Sequence, residues 1–597
     1  MIRKFLAAAA LAVLLLPAPS FAQAQAPAKP AFDLVVQAPD PLRELLERNL
    51  DLKRYREVPD LDDAEIARLI VLAEKNAREL LATQGYFSPE VKIAHEPGTP
   101  PTLRVAVQPG TRTTVSAVDI GFEGDIATTT DPGAIHQRES VRAGWELQPG
   151  QPFTAVGWDH AKSEATKKLL ARRYPAARIS YSLADIDAPA AQARLGLRLD
   201  SGALFHLGPI HATGIERYDP VLVERLARLP LGSVYDQEKI VEAQLRLTGS
   251  GYFDSAFIFI DPQSDPAAAP VQVSVREAPL QKVVLGLGFT TDGGPRATVE
   301  HTHNRVPGIG WRAVSKLQFE RKNPYAQTEW TAIPDPKGRR WSTLARVERL
   351  DDDRLVTTSQ RLRFGRFQLG DRIDRNMYVQ YDHASVANPY NVPLTPLDTG
   401  AGSSLSVNYI WTGRYFDNLQ LPTRGYGVGI ELGGGVTIAG NQSLFQRTLV
   451  RWLGFRPLSK GRLQLRAEAG AVLARNDATV PATQLFRTGG DTTVRGYKYL
   501  DIGVPLPGGL VGPGRYLAVG SAEWQRPIEI RGRPSQFDHV LFVDAGAVAD
   551  RPGELRPRFG VGSGVRWRSP VGPLEAAIAY GVRDHRFRFH LTAGFVF

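Results

Sequence analysis

The sequence predicts a fold in two parts, in which three β-α-α-β-β repeats precede a C-terminal transmembrane antiparallel β-barrel of about 16 strands. Two observations carry this prediction. A Gly-Tyr-Phe motif recurs with its surroundings in the first half of the chain, and apolar side chains alternate with polar ones in the second half. The first pattern indicates an internal repeat and the second indicates strands with one apolar face.

The composition excludes several other classes of protein. The 597 residues are 43% hydrophobic, carry a net charge of +10 and include no cysteine, and the mean hydropathy is −0.21. Such a chain is too apolar for wholesale disorder and too polar for a bundle of membrane helices. Without cysteine there are no disulfides or thiolate zinc sites. Because the chain has no catalytic or phosphate-binding motif and no long basic run, we expect no enzymatic activity, no metal, no cofactor and no nucleic acid partner.

The first 22 residues have the pattern of a secretory signal peptide. Arg3 and Lys4 form a positive start, an apolar run follows over residues 5–16, and residues 20–22 form a small-x-small cleavage site. Cleavage after Ala24 fits nearly as well as cleavage after residue 22. An uncleaved anchor is the alternative, but the apolar run is shorter than the ~20 residues of a membrane-spanning helix. We therefore expect an exported protein.

Residues 32 to 279 contain three copies of one unit. The clearest helix extends from Asp62 to Thr83, since apolar residues recur at helical spacing, Asp62 can cap the start and Gly85 follows the end. Three sites have a leucine five residues before a tyrosine and an apolar residue five after it. These sites are Gly85-Tyr86-Phe87, Arg173-Tyr174-Pro175 and Gly251-Tyr252-Phe253. Because one strand precedes and two strands follow each site, we predict repeats at residues 32–109, 110–202 and 203–279.

From residue 281 to 597 the period of the pattern changes to two. In residues 425–438, 462–473 and 559–568, one face is apolar and the other carries glycine or charged residues. This alternation is typical of a strand that faces lipid on one side and a polar lumen on the other. A soluble β-sandwich also alternates and is the alternative. At about 20 residues per strand with its connection, this segment holds about 16 strands.

Four motifs in this segment resemble the BamA/TamA superfamily of outer-membrane assembly factors, also called bacterial surface antigens. The strongest is similar to the Val-Arg-Gly-aromatic loop of that family and contains Val494, Arg495, Gly496 and Tyr497. The other three motifs are Phe542–Gly546, residues 569–574, and Asp417 with residues 422–425. The resemblance covers essentially the whole mature chain. It implies that the repeats are POTRA domains, that the loop folds back into the barrel lumen, and that Phe542–Gly546 faces it.

An arginine inside a water-poor lumen requires carboxylate partners. The planar guanidinium of Arg495 is suited to two of them. In residues 515–525 the apolar residues share one face and Glu523 has the opposite parity, so we expect Glu523 to point into the lumen. Asp544 is the second candidate, because its motif resembles the strand that faces the loop in the family. An ordinary hairpin tip with a solvated arginine is the alternative.

The number of repeats distinguishes branches of the superfamily. Three repeats with about 16 strands resemble the TamA branch, whereas BamA-like proteins usually carry five repeats and two-partner secretion transporters carry two. The resemblance implies the outer membrane of a Gram-negative bacterium, with the POTRA domains in the periplasm. It implies assembly of unfolded outer-membrane proteins such as autotransporters, contact with membrane lipids, and docking of a TamB-like inner-membrane-anchored partner on the POTRA domains. Lipid transport between the membranes, a two-partner-type secretion pore, a BamA-like general insertase and a passive porin are the alternatives.

A barrel closes where its first and last strands meet, and we expect this lateral seam to be the functional edge. Unpaired backbone groups at a short seam can template an incoming strand, and glycine weakens strand order. We therefore predict few backbone pairs there. The predicted seam residues are Val283, Leu285, Gly286, Leu287, Phe589, Leu591, Gly594, Phe595 and Phe597.

Overall fold

The structure is a computed structural model that describes residues 30–58, 61–419, 421–569 and 572–593. The predicted signal peptide at residues 1–22 lies outside the described residues. Among the described residues, no helix has the length and apolarity that a membrane crossing by a helix requires.

The first repeat is a three-stranded sheet with helices packed against it. Its strands are ordered β1-β3-β2, with β1 parallel and β2 antiparallel to β3. Its elements are β1 (Asp33–Gln37), α1 (Leu42–Asn49), α2 (Leu52–Tyr55), α3 (Asp63–Thr83), β2 (Glu90–Glu96) and β3 (Thr102–Gln108). The short helix α2 is one element more than the predicted β-α-α-β-β order.

Helix α3 is the helix that the periodicity predicts. The Asp62 side chain accepts a hydrogen bond from the Glu65 N–H at 2.7 Å and so caps the first turn. Gly85 follows the helix with a φ of +92°, a backbone conformation that favours glycine. The buried face of the helix consists of Ile66, Leu69, Ala73, Ala77 and Leu81.

The second and third repeats have the same sheet order. The second contains β4 (Thr114–Glu123), α4 (Asp125–Thr128), α5 (Pro132–Ala143), α6 (Ala155–Leu170), β5 (Arg178–Asp187) and β6 (Gln192–Asp200), with strand order β4-β6-β5. The third contains β7 (Leu207–Thr213), α7 (Val221–Ala227), α8 (Gln237–Gly249), β8 (Phe253–Ile260) and β9 (Ala269–Glu277), with strand order β7-β9-β8. The β-α-α-β-β architecture is therefore confirmed as the repeating unit.

The chain divides into two compact units. The first comprises the described residues up to Pro209 together with Pro230–Glu238 and Ile260–Val271. The second comprises Ile210–Leu229, Lys239–Phe259 and the chain from Gln272 onward. This division falls within the third predicted repeat, and the domain boundaries proposed from the sequence stay predictions.

The second half of the chain is a closed antiparallel barrel of sixteen strands, which confirms the predicted fold class. Eleven consecutive strands come first: β10 (Gln281–Thr290), β11 (Gly294–His303), β12 (Arg312–Glu320), β13 (Tyr325–Thr331), β14 (Arg339–Asp351), β15 (Val356–Gln368), β16 (Ile373–Ala387), β17 (Gly402–Phe416), β18 (Gly425–Thr437), β19 (Leu444–Leu458) and β20 (Gly461–Ala474). Five further strands complete the barrel: β23 (Tyr516–Ile530), β24 (Arg533–Ala549), β25 (Arg558–Ser569), β26 (Gly572–Gly581) and β27 (Arg586–Ala593). The helix α9 (Pro396–Thr399) lies in the connection between β16 and β17. The short strands β21 (Val504–Pro505) and β22 (Val511–Gly512) lie in the connection between β20 and β23.

The alternation along each strand separates an apolar outer face from a polar inner face. Glu431 on β18 illustrates the inner face, since its carboxylate binds Arg447 at 2.9 Å and Arg451 at 2.6 Å on β19. Its neighbours Ile430 and Leu432 have the opposite parity and point outward. A charge inside the barrel is thus paired across strands, whereas the side facing lipid remains apolar.

The third repeat identifies one rim of the barrel, which we call the repeat-side rim. Arg225 donates to the carbonyl of Pro334 at 3.1 Å and Arg228 donates to the carbonyl of Leu369 at 2.8 Å. Both carbonyls belong to turns that connect β13 to β14 and β15 to β16. Because successive connections alternate between rims, the turn between β10 and β11 and the connection between β20 and β23 lie at the opposite rim.

Candidate functional site

The connection between β20 and β23, residues 475–515, folds into the barrel, and we call it the lumen loop. Its middle is buried, since Val494 and Tyr497 have no exposed surface and Arg495 is 7% exposed. The tight turns around this segment use Gly489 and Gly496, with φ of +112° and +95°. The structure thus places the Val-Arg-Gly-Tyr motif against the inner wall.

Arg495 binds both carboxylates that the sequence analysis named. Its Nε lies 2.8 Å from Asp544 Oδ2 and its Nη2 lies 3.0 Å from Asp544 Oδ1, which is a bidentate pair. Its Nη1 lies 2.9 Å from Glu523 Oε2. The guanidinium also lies over the ring of Phe542, with its central carbon 3.4 Å from the ring centroid. Glu523 comes from β23 and Asp544 from β24, so one side chain joins the loop to two strands.

The structure adds two members that sequence reasoning missed. Glu575 on β26 lies 3.0 Å from Arg495 Nη1, and Arg566 on β25 lies 2.7 Å from Glu523 and 2.5 Å from Glu575. Both have the inward parity of their strands, and this parity was the signal that could have found them. It could not reveal the pairing, because Glu575 is 80 residues from Arg495 along the chain.

A third arginine balances the charges of this group. Arg466 on β20 donates to the carbonyl oxygens of Thr492 and Thr493, the latter at 2.8 Å, and lies within electrostatic range of Asp544. Three guanidinium groups therefore accompany the three carboxylates of Glu523, Asp544 and Glu575. We call these six residues the lumen network. Such neutrality offsets the cost of burying charge, which is several kcal/mol for an unpaired ion (about 3–5 kcal/mol when one partner is removed).

The charge state of Arg495 follows from this environment. Burial alone disfavours the charged form of an arginine. The hydrogen bonds to Asp544 and the charges of Glu523 and Glu575 outweigh burial and raise the pKa of Arg495. The guanidinium therefore remains a fixed positive charge at any physiological pH.

The backbone of the loop also fits closely against the wall. The Gly496 N–H donates to Nε2 of His590 at 3.0 Å. A Cβ on Gly560 would lie 1.9 Å from the Arg495 carbonyl oxygen, and a Cβ on Gly581 would lie 2.6 Å from the Gly496 carbonyl oxygen. Glycine at these inward positions of β25 and β26 thus makes room for the loop.

Tyr497 anchors the end of the motif to two further elements. Its hydroxyl donates to the carbonyl of Phe559 on β25 at 3.0 Å. The same oxygen accepts from the Arg583 N–H at 3.2 Å, in the turn between β26 and β27. The four residues of the motif therefore contact every strand from β23 to β27 or a turn between them.

At the lateral seam, β10 and β27 are neighbours in the barrel and Thr290 lies opposite Thr592. Gly286 has the inward parity of β10, and a Cβ there would lie 2.4 Å from the hydroxyl of Thr298. Gly594, Phe595 and Phe597 lie outside the described residues. The other predicted seam residues have outward parity, and they are Val283, Leu285, Leu287, Phe589 and Leu591.

The motif of Asp417 with residues 422–425 forms a turn at the repeat-side rim. The Asp417 carboxylate accepts hydrogen bonds from the backbone N–H groups of Thr423 and Arg424 at 3.0 and 3.1 Å, and from the Thr423 hydroxyl. These donors lower the pKa of Asp417. Residues 422–425 are thus a turn closed by Asp417. The motif at residues 569–574 includes residues 570 and 571, which lie outside the described residues.

Comparison with known proteins agrees with this fold. Residues 344–597 match the Omp85 superfamily domain. The outer membrane protein assembly factor BamA of Nitratidesulfovibrio vulgaris is 25% identical over 398 residues, which are 62% of this chain and 49% of that protein. BamA of Neisseria meningitidis serogroup B is 22% identical over 467 residues, 67% of this chain and 58% of that protein. The chain thus spans about half the length of the curated relatives it matches.

A solved structure shows the same fold. The crystal structure of BamA from Haemophilus ducreyi lacking POTRA domains 1–3 aligns with a TM-score of 0.56 at 16% identity, over 80% of this chain and 99% of that one. The barrel and its relatives define an outer-membrane protein of a Gram-negative bacterium, with its N-terminal repeats in the periplasm. More specifically, residues 344–597 are similar to the Omp85 superfamily domain, and the longer matched segments are similar to BamA.

Proposed function

We propose that this protein is a TamA-type assembly factor, which inserts or translocates outer-membrane proteins such as autotransporters through its lateral seam. The proposal rests on the lateral seam itself, where the first strand β10 and the last strand β27 are neighbours in the barrel. Within residues 572–593, the described end of the chain, the register joins β27 to β10 at Thr592 and Thr290.

The chemistry of an unpaired edge supplies the mechanism. When β10 separates from β27, the edge of β10 is left with unpaired backbone N–H and C=O groups. A strand that enters hydrocarbon must have its backbone N–H and C=O groups hydrogen-bonded, so an available edge lowers the barrier to its insertion. Gly286 and Gly288 reduce the order of β10 and make its separation from β27 easier. No covalent chemistry is required.

The periplasmic repeats offer a second kind of edge. Strands β2, β5 and β8 lie at the edges of their three sheets. The exposed side chains Tyr181 and Leu183 on β5, and Phe257 and Phe259 on β8, give two of these edges an apolar surface. Extended segments can add to such edges by backbone pairing. We propose that a TamB-like partner and unfolded clients dock there, while membrane lipids contact the barrel.

A cysteine pair across the seam tests the proposal, because the chain has no native cysteine. Thr290→Cys with Thr592→Cys places thiols at the facing positions of the seam. In vesicles that contain the crosslinked protein, we expect folding of an unfolded outer-membrane barrel protein to slow at least tenfold, and reduction to restore it. The two single-cysteine variants, treated identically, are the controls. A crosslinked protein that folds its client at the normal rate would show that lateral opening is not the mechanism.

The alternatives differ in what passes through the lumen. In a two-partner-type secretion pore or a passive porin the substrate crosses the lumen, so the lumen loop has to leave it. Removal of residues 32–279 would leave a porin conducting, whereas an assembly factor would still enter the membrane and lose its activity on clients. Co-purification from native membranes separates a TamA-type protein from a BamA-like general insertase, since the former brings a TamB-like partner and the latter a lipoprotein complex.

A further inference from the structure

The lumen loop contacts both sides of the lateral seam. On the side of the first strand, the Asp491 N–H donates to Asp292 Oδ2 at 2.8 Å, in the turn between β10 and β11. On the side of the last strand, Gly496 accepts a hydrogen bond from Nε of Arg588 at 3.2 Å, in addition to its bond to His590. Five residues span at most about 18 Å when extended, so a short backbone segment joins the two sides.

The contact with Asp292 is close. A Cβ on Gly490 would lie 2.6 Å from Asp292 Oδ2, so glycine lets the loop backbone approach this carboxylate without displacing it. The site lies at the opposite rim, next to the paired residues Thr290 and Thr592. The Leu591 N–H also lies 3.4 Å from the Thr291 hydroxyl at this end of the seam. The loop therefore crosses the seam on its inner face, where the strands are joined.

The two attachments differ in strength. On the side of β23 to β27, Arg495 forms charge-assisted bonds to three carboxylates, and such bonds are the strongest of their kind. On the side of β10, the hydrogen bond that residues 490–496 form within the described part of the chain is the one from the Asp491 N–H to Asp292. Oδ2 of Asp491 is buried without a hydrogen-bond partner, and its carboxylate is close enough to that of Asp292 for the two charges to repel. The weaker attachment is therefore the one to the first hairpin.

We propose that residues 490–496 form a strap across the inner face of the seam, which retains the first hairpin through Asp292 and stays with β23 to β27 when the seam opens. Asp292 is then a positioning residue, because it holds β10 next to β27 through the loop. This inference rests on the proposed function, since it concerns the opening of the same seam. It specifies which contact must break for β10 to move away.

Three crosslinks made with one short, reducible thiol-to-thiol reagent test the strap. The first joins Thr290→Cys to Thr592→Cys and closes the seam itself. The second joins Asp292→Cys to Asp491→Cys and fixes the loop to the first hairpin. The third joins Val504→Cys to Val548→Cys, whose side chains both lie within 2.9 Å of the position of a Cβ on Gly514, and fixes the loop to β24.

We expect the first two crosslinks to slow client folding at least tenfold and the third to leave it within twofold, with each reduced protein as its own baseline. If the first crosslink blocks activity and the second does not, the strap is wrong and the proposed function stands. If the third blocks activity as strongly as the second, the loop has to leave the C-terminal wall and the strap is also wrong. If the first has no effect, the proposed function fails together with this inference.

A second measurement needs no client and does not depend on an active double variant. Spin labels at Leu287→Cys and Phe589→Cys report the distance between the outer faces of β10 and β27. We expect Asp292→Ala to broaden this distance distribution towards longer values. Asp477→Ala is the matched control, because Asp477 lies in the same loop and pairs with Arg475 near the surface. An unchanged distribution in Asp292→Ala, or an equal change in both variants, would overturn the strap.

Discussion

Arg495 is the residue on which the lumen site depends. Its guanidinium binds carboxylates from β23, β24 and β26, and Ser521 completes the set by donating to Asp544 at 2.6 Å. Because Arg566 shares two of these carboxylates, the bonds form one network rather than separate pairs. In a network of this kind, the loss of one member affects the others more than separate pairs would suggest.

Arg495→Ala should therefore destabilise the barrel and abolish client assembly. Three carboxylates would retain only two guanidinium groups, at a cost of about 3–5 kcal/mol for a broken buried pair. We expect a lower temperature for conversion from the fast-migrating folded form to the slow unfolded form on SDS gels. Arg475→Ala is the control, because Arg475 belongs to the same loop but forms an exposed pair with Asp477. Equal conversion temperatures for both variants would mean that the network contributes nothing.

Gly560→Ala tests the fit of the loop without changing any charge. The added methyl group would lie 1.9 Å from the Arg495 carbonyl oxygen, so the loop backbone must shift. We expect a loss of client assembly comparable with that of Arg495→Ala. Gly520→Ala is the control, because nothing lies within 4 Å of a Cβ at that position of β23, two strands away in the barrel. Normal assembly by Gly560→Ala would show that the loop tolerates displacement.

At the scale of elements, the sequence predicted what local patterns encode. Helix α3 and its cap at Asp62, the alternation of the strands and the inward direction of Glu523 all follow from side-chain spacing within one element. Glu575 and Asp292 were missed because their contacts depend on which strands become neighbours. Asp292 and Asp491 are 199 residues apart, and no periodicity within either segment relates them.

The Asp292–Asp491 contact should depend on pH. Burial and the Asp292 carboxylate raise the pKa of Asp491 to about 7, and Glu320 on β12 adds to this effect. The pKa of an aspartate in an unfolded chain is about 3.9, so the folded state favours the protonated form of Asp491. The contribution of Asp491 to the free energy of unfolding is therefore largest below about pH 4. It is lost as the pH rises through about 7, because the ionised carboxylate is then repelled by the neighbouring acidic groups.

Asp491→Asn mimics the protonated form and reveals this dependence. As the pH rises from 5 to 8, we expect the temperature at which the folded form converts to the unfolded form on SDS gels to fall more for the natural protein than for Asp491→Asn. Asp417→Asn is the control. Because the pKa of Asp417 is lowered, the contribution of this carboxylate to stability is constant between pH 5 and 8 and is lost only in acid. A constant difference between the natural protein and Asp491→Asn would show that the carboxylate does not titrate there.

At the scale of the molecule, the third repeat is joined to the barrel by arginines. Arg246 on α8 binds Asp371 in the β15–β16 turn at 3.1 Å and donates to the carbonyl of Ala227 at 2.8 Å. That carbonyl ends helix α7, where backbone acceptors lack partners within the helix. One side chain therefore caps a helix of the repeat and attaches it to the rim next to Arg228.

Arg246→Ala should loosen this junction. The variant leaves the Ala227 carbonyl and Asp371 without this donor, so we expect faster hydrogen exchange in α7 and in the β15–β16 turn of the intact protein. Exchange in α3 of the first repeat should not change. Arg276→Ala is the control, because Arg276 is an exposed arginine of the same repeat. Unchanged exchange in α7 would show that other contacts hold the repeat in place.

The lumen network also restricts the order in which the protein folds itself. All six of its members, together with the partners of Gly496 and Tyr497, come from β20, the loop or the strands that follow it. This C-terminal group can assemble around its own loop before β10 arrives. If the wall closed first, a loop of 41 residues would have to be threaded into the lumen, and protein folds avoid threaded connections. We therefore expect ring closure at β10 to follow the assembly of the C-terminal strands around the loop.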